Sequence, residues 1–244
     1  MYLLIDADIL LYKAASSVEN EVEFEPDVWV MWTDVDEAVS AFDISVTNLI
    51  EQQAFAGTLL CFSDALNFRK NILPSYKGNR TSRKPMAFKA IRERVMNEWR
   101  DSGIVIKPNL EADDCLGILA TQNTDFVIWS ADKDLMQIPG KHLINGQIET
   151  VSQEDADLFF YRQVLTGDTV DNYKGCPGIG PVKADNMLAK GKPWETIVAA
   201  YEKAGLTEDD ALVQARVARI LRDSDWNQDT QEVILWTPST ALNP

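Results

Sequence analysis

Short apolar runs that end in acidic residues alternate with amphipathic stretches along the first half of this chain. Tyr2 to Ile5 is such a run, closed by Asp6 and Asp8, and it reads as a buried parallel strand whose carboxyl end opens onto a site. Thr58 to Phe62, Ile104 to Lys107 and Phe126 to Trp129 repeat the pattern. Between them, helical spacing predicts helices over Ile9 to Ala15, over Asp34 to Phe55 through Val35, Val39, Phe42, Val46, Leu49 and Ile50, and over Met86 to Arg100 through Ile91, Val95 and Trp99. Asp34 or Asp36 offers a cap and Gly57 a stop, while a further helix begins near Glu111. Glu19 to Trp32 alternates in Val22, Phe24, Val28, Val30 and Trp32, which predicts a small hairpin. Pro74 to Pro85 holds Gly78, Asn79, Thr81 and Ser82 and reads as a polar loop.

From about Ser152 the periodicity is helical: Ala156 to Leu165, Val182 to Leu188, Trp194 to Tyr201 and Asp209 to Leu221, with a late strand at Glu232 to Trp236. Strands separated by helices predict an α/β fold with a mostly parallel twisted sheet, and such sheets place ligands at the carboxyl ends of their strands. The expected organisation is a catalytic core over residues 1–151, with a basic arch at about 66–102, followed by a helical region over 152–244.

Composition narrows the class. Of 244 residues, 45% are hydrophobic and 25% charged, which is globular usage. Three cysteines outside any CxxC spacing argue for reduced thiols and a cytoplasmic setting. One histidine, His142, excludes a multi-histidine metal site. No stretch has the apolar length of a signal peptide or of a membrane span. No sustained heptad predicts a dimer, so a monomer is expected.

The net charge of −15 is unevenly spread. Residues 66–107 carry eleven bases against three acids, so this stretch is +8 and the remainder −23. Concentrating positive charge in one segment attracts a polyanion locally, although a solvated basic helix accounts for part of the same pattern.

The acids fall at strand ends. Asp6 and Asp8 close the first strand, Asp64 follows the second, Glu111, Asp113 and Asp114 open the helix after the third, and Asp132 and Asp134 follow the fourth. Asp168 and Asp171 follow a later helix. Taken singly, these are helix-first-turn acids, caps and turn residues. Taken together on one sheet edge they would repel one another by several kcal/mol unless cations sat among them, and hard divalent ions such as magnesium suit all-oxygen ligands. Two such ions about 3.5 to 4 Å apart suit in-line attack of water on a phosphodiester. Gly178, Gly180 and Lys183, at a turn entering a helix through Pro181, suit a backbone phosphate, although an ordinary corner between helices has the same look. Tyr76 beside Lys77 and Arg80 suits an unstacked nucleotide end.

These residues carry a resemblance. Leu4-Ile5-Asp6, Phe62-Ser63-Asp64, Pro74-Ser75-Tyr76-Lys77-Gly78-Asn79-Arg80, Glu111-Ala112-Asp113-Asp114, Ser130-Ala131-Asp132-Lys133-Asp134, Gly167-Asp168-Thr169-Val170-Asp171-Asn172 and Gly178-Ile179-Gly180 occur in the order of the structure-specific 5′ nuclease family. The match runs from residue 2 to about 190, and the ending Ala218 to Arg222 with Ile234 to Pro238 resembles the exonucleases of short-tailed phages. The resemblance implies a PIN-like 5′ nuclease core with a helical arch and a helix–three-turn–helix. It further implies 5′-to-3′ exonuclease and flap endonuclease activity on DNA with a free 5′ end, and on the RNA of RNA–DNA hybrids. It implies that Asp6, Asp64, Glu111 and Asp113 hold a first Mg2+, for which Mn2+ can substitute, and that Asp114, Asp132, Asp134, Asp168 and Asp171 surround a second. Lys77 and Arg80 would contact the scissile region, Tyr76, Arg83 and Lys84 the bound strand, and Gly178 to Lys183 the duplex backbone with a K+ ion. The Asp6-Ala7-Asp8 start departs from the family's Asp-Gly and leaves the role of Asp8 open. Two other readings remain: a haloacid-dehalogenase-like phosphatase using Asp6 and Asp8, and a non-catalytic DNA-binding module.

Overall fold

The computed structural model describes residues 1–238; the last six residues of the expected helical region, 239–244, lie outside them. The chain runs β1 (Tyr2–Asp6), α1 (Ala7–Ser17), β2 (Glu19–Glu25), β3 (Val28–Thr33), α2 (Val35–Ile50), β4 (Gly57–Cys61), α3 (Arg69–Ile72), α4 (Phe88–Glu98), β5 (Ile104–Val105), α5 (Ala112–Gln122) and β6 (Phe126–Trp129). It continues through a 3-10 turn at Lys133–Gln137 to β7 (Gly140–Ile144), β8 (Gln147–Val151), α6 (Gln153–Thr166), α7 (Pro181–Leu188), α8 (Pro193–Lys203), α9 (Glu208–Ala218), β9 (Trp226–Asn227) and β10 (Glu232–Val233).

The central sheet has the order β5-β4-β1-β6-β7-β8, parallel except for β8. From β1 the chain moves outward to β4 and β5, then returns to β6 on the opposite side of β1. The strand order therefore reverses between β1 and β6, and their carboxyl ends flank the crevice where α/β folds bind ligands. Leu3 and Ile5 enter one core with α1, α2 and the Ile91 and Val95 face of α4, whereas Leu4 enters another with Cys61 and α5. That alternation is the period of a strand covered on both faces.

Asp34 caps α2 by accepting from Asp36 N–H at 2.9 Å and Glu37 N–H at 3.1 Å, an arrangement worth about 1 kcal/mol. The helix stops at Ile50 rather than Phe55. Two strands escaped the sequence reading. β7 and β8 form a hairpin whose turn residues Asn145 and Gly146 both have positive φ, 50° and 80°. An Asn-Gly pair between alternating runs signals such a turn, but Lys141 and His142 mask the alternation of β7. The late strand is shorter than expected, two residues of β10 paired with β9.

Helices α6 to α9 share a third core containing Phe160, Tyr201 and Trp236. The segment after α9 turns back, so Ile220, Leu221 and Trp226 belong to the core under α5. Gly117 permits this approach, since a Cβ there would lie 2.3 Å from the Leu221 carbonyl oxygen. Among the described residues no helix is long and apolar enough to cross a membrane, and all three cysteines are free and buried.

Candidate metal and nucleic-acid site

The site is assembled at the β1/β6 crevice. Asp6 ends β1 and caps α1, accepting from Ile9 N–H at 3.4 Å. Its other oxygen accepts from the Ser130 hydroxyl at 2.8 Å, and Ser130 in turn accepts from Asp132 N–H at 3.0 Å. Burial, with Asp8 and Asp132 nearby, pushes the Asp6 carboxyl up to about 7. Asp132 caps the 3-10 turn through Asp134 N–H at 2.9 Å. Asp134 Oδ1 is buried with no hydrogen-bond partner, and burial together with Asp132 and Asp168 raises this carboxyl to about 6.

The first turn of α5 contributes Glu111, Asp113 and Asp114, one oxygen of each lying within 4.8 Å of the others. Burial would raise Glu111, but Lys77, Arg69 and the Tyr76 hydroxyl outweigh it and hold the group at about 2. Asp113 has the reverse balance: burial, then Asp114 and Glu111, push its carboxyl well above the ordinary range. Asp113, Asp132, Asp134, Asp168 and Asp171 line one cleft of about 220 Å³ together with Lys77 and Arg80.

The remaining wall is the 167–175 loop. Asp168 accepts from Val170 N–H at 2.6 Å and Asp171 N–H at 3.2 Å, which folds the loop so that Asp171 meets the arch side. Gly167 and Gly175 interlock at its base: a Cβ on Gly175 would lie 2.3 Å from Gly167 N, and both glycines have positive φ. Asp171 pairs with Arg80 at 2.6 Å and with Lys77 at 3.5 Å, and Asn172 and Asn79 add side-chain bonds between the two loops.

Several expected roles change. Tyr76 does not offer a ring face to a nucleotide, because it is only 3% exposed and lies in the core of α6 to α9. Its ring carries Lys77 Nζ at 5.0 Å and the Arg69 guanidinium at 5.9 Å, and its hydroxyl lies 2.9 Å from both Glu111 and Asp171. Asp114 is fully buried and its two oxygens accept four hydrogen bonds, from Arg69 twice, Leu221 N–H and Glu111 N–H, so no lone pair is left for a cation. Asp64 accepts from Ala65 N–H at 2.7 Å and Asn109 N–H at 2.8 Å. Asp8 accepts from Ser63 N–H at 2.9 Å, and Ser63 Oγ accepts from Ala112 N–H, tying β1 to the start of α5.

Among the expected strand contacts, Arg83 pairs with Glu19 at the base of the β2–β3 hairpin, and Lys84 lies 4.9 Å over the Phe88 ring. Gly180 caps α7, Gly178 has φ 72°, and exposed Lys183 donates to the Gly178 carbonyl at 3.1 Å. Sequence reasoning missed Ser130, Ser63 and Arg69. The two serines adjoin motif acids and could have been read as their partners; Arg69 carries no signal that sets it apart from its basic neighbours.

The profile of a family described as "5'-3' exonuclease, N-terminal resolvase-like domain" matches residues 1–164. The chain belongs to this family. It is a 5′-to-3′ nuclease, and its exonuclease relatives extend the likeness along the whole chain. The exodeoxyribonuclease of Enterobacteria phage T3 is 29% identical, over 97% of this chain and 92% of that protein. The exonuclease of Escherichia phage T7 is also 29% identical, over 97% of this chain and 93% of that protein. The T5 D15 protein co-crystallised with metal ions shares the fold, with a TM-score of 0.63 at 15% identity over 89% of this chain and 88% of that one. For this nuclease the phosphatase reading is not favoured, since it leaves Asp113, Asp132 and Asp134 in the cleft without a role. A silent binding module gives no account of five acids lining one cleft, with Asp134 Oδ1 buried and unpartnered.

Proposed function

We propose that this nuclease hydrolyses phosphodiesters next to a free DNA 5′ end, as a 5′-to-3′ exonuclease and flap endonuclease, with two Mg2+ ions or Mn2+ in their place. The observation that carries this reading is the convergence of Asp113, Asp132, Asp134, Asp168 and Asp171 on one cleft, with Asp134 Oδ1 buried and unpartnered. Oxygen donors without histidine or cysteine fit a hard divalent cation. Glu111 and Asp113 would hold one ion with Asp6 nearby, and Asp132, Asp134, Asp168 and Asp171 would surround the other. The bound pair supplies Lewis-acid stabilisation of the attacking and leaving oxygens.

The chain's own residues do the rest. Lys77 and Arg80 reach the cleft from the arch side and are paired with Glu111 and Asp171, so they stand where a phosphate next to those carboxylates would be met. Arg83, Lys84 and the other exposed bases of residues 66–102 extend that field along a strand. The turn at Gly178 to Lys183, entering α7, would act as a helix–three-turn–helix on the duplex backbone, with K+ on its carbonyls. On this reading residues 1–151 form the catalytic core, to which region 152–244 adds Asp168 and Asp171 while it holds the duplex. A monomer working in the cytoplasm fits three free thiols, and RNA–DNA hybrids are a further substrate.

The test is product sizing on a 5′-flap duplex labelled at the flap strand's 5′ end in one sample and 3′ end in another, with magnesium or EDTA. Magnesium-dependent release of the 5′ label as mononucleotides or a flap-length fragment is expected. Intact DNA in magnesium overturns the reading.

A further inference from the structure

Arg69 counts in the sequence as one of eleven bases in the segment suited to DNA, yet it is 1% exposed. Its five N–H donors are all used within the protein. Nε donates to the Val217 carbonyl at 3.0 Å, and Nη2 donates to the Arg219 carbonyl at 2.6 Å. Nη1 and Nη2 each donate to Asp114 at 2.7 Å, and Nη1 also reaches Glu111 at 3.3 Å. The guanidinium lies 4.7 Å over the Phe68 ring, which closes it off on that side. No donor remains for a phosphate.

Asp114 completes the set. Its oxygens accept from both Arg69 nitrogens, from Leu221 N–H at 3.0 Å and from Glu111 N–H at 3.2 Å. Arg69 and Asp114 therefore fasten the first turn of α5 to the segment 217–221 that returns from α9, and that same turn carries Glu111 and Asp113.

We infer that Arg69 is a positioning residue: through Asp114 and the return segment it sets the direction of the Glu111 and Asp113 carboxylates, and it touches neither DNA nor metal. The inference rests on the proposed metal site. Its consequence is that the C-terminal segment governs metal affinity from the far side of α5. Groups that orient metal ligands typically change metal affinity or activity by about 10- to 100-fold when altered.

The test uses the full chain with Arg69→Lys, which keeps the charge but loses the fork, and the double variant Arg69→Met/Asp114→Asn, which removes both charges so that none is left buried and unpaired. Three quantities are read: the Mn2+ concentration for half-maximal cleavage at saturating flap duplex, Mn2+ binding without DNA by electron paramagnetic resonance, and flap affinity in EDTA. For both variants the half-saturating Mn2+ is expected to rise about tenfold or more, with flap affinity within about twofold of wild type and with excess Mn2+ restoring part of kcat. A lowered melting temperature with unchanged Mn2+ dependence would make Arg69 merely structural and overturn the inference. Weakened flap binding with unchanged Mn2+ dependence would make it a DNA contact and overturn it equally. Should wild type itself bind no Mn2+, the metal-site reading falls and the inference with it, an outcome distinguishable from both others. If Arg69→Lys does not fold, the double variant decides.

Discussion

Ser130 joins Asp6 to Asp132: its hydroxyl donates to Asp6 at 2.8 Å and accepts from the Asp132 N–H at 3.0 Å. A single side chain thus links the carboxyl ends of β1 and β6, the two strands between which the strand order reverses. Removing the hydroxyl with Ser130→Ala frees one Asp6 oxygen in a buried place and loosens the Asp132 turn. Cleavage at limiting metal is expected to fall by about tenfold, equivalent to about 1.4 kcal/mol in the barrier, with a smaller loss at saturating metal. Initial rates across a magnesium series check this; equal losses at all concentrations would show no link to metal.

Asp132→Asn removes negative charge and metal affinity together. Cleavage is expected to be abolished while binding of a 5′-flap duplex is preserved or tightened. Paired cleavage and binding assays test it, and a rate retained within about tenfold, a barrier change of only about 1.4 kcal/mol, would refute the role.

Stability without metal should fall as pH rises from about 4 to about 7. In the unfolded chain Asp6 ionises near 3.8, whereas in the fold it holds its proton until about 7. Between those values the native state binds the extra proton, so ∂ΔG/∂pH is negative, and Asp6 alone represents on the order of 4 kcal/mol. Asp134 adds in the same direction up to about 6. Glu111 acts oppositely, but its contribution is fully present above 4.5 and is lost only as pH falls through about 2, so it leaves this window unchanged. Bound divalent ions replace the protons, so the rise in melting temperature on adding millimolar Mg2+ or Mn2+ should be larger at pH 8 than at pH 5.5. Melting curves in EDTA and in metal at the two values measure it, and an equal or smaller rise at pH 8 counts against the clustered site.

Tyr76→Phe separates the buried role from nucleotide stacking. Loss of its hydroxyl, which lies 2.9 Å from both Glu111 and Asp171 and donates its one hydrogen between them, is expected to cost about 1 to 2 kcal/mol of stability, with flap affinity unchanged. A base-stacking tyrosine would keep its affinity as phenylalanine and lose about 1 to 3 kcal/mol of binding as leucine. Chemical denaturation and flap titrations on Tyr76→Phe and Tyr76→Leu therefore give different answers for the two roles; weakened flap binding confined to leucine would restore stacking.

Gly117→Ala probes the return segment directly. The added methyl would meet the Leu221 carbonyl at 2.3 Å, a distance backbone atoms do not tolerate, so α5 and segment 217–221 must separate. A destabilisation of about 1 to 3 kcal/mol is expected, measurable by urea denaturation, and wild-type stability would show that the segment packs elsewhere.

The sequence by itself determined the strands that end in acids, the helices between them and the motif order that marks the family. Those features are local: apolar runs, 3.6-residue spacing and acids at strand ends are each set by a few neighbouring positions. It also showed that residues 66–107 are basic. Which of those bases stay on the surface was decided only by tertiary structure, because Arg69 and Lys70 are adjacent and alike in composition, yet one is buried against Asp114 and the other exposed. The same holds for the acids. Asp113 and Asp114 are neighbours on one helical turn, about 100° apart around its axis, so one faces the cleft and the other the return segment 217–221. Tyr76 has the sequence surroundings of a nucleotide contact, but the packing of α6 to α9 claims its ring. Burial and hydrogen-bond partners more than a hundred residues away are not encoded in any local pattern, and at this site they separate the groups left free for chemistry from those that hold them in place.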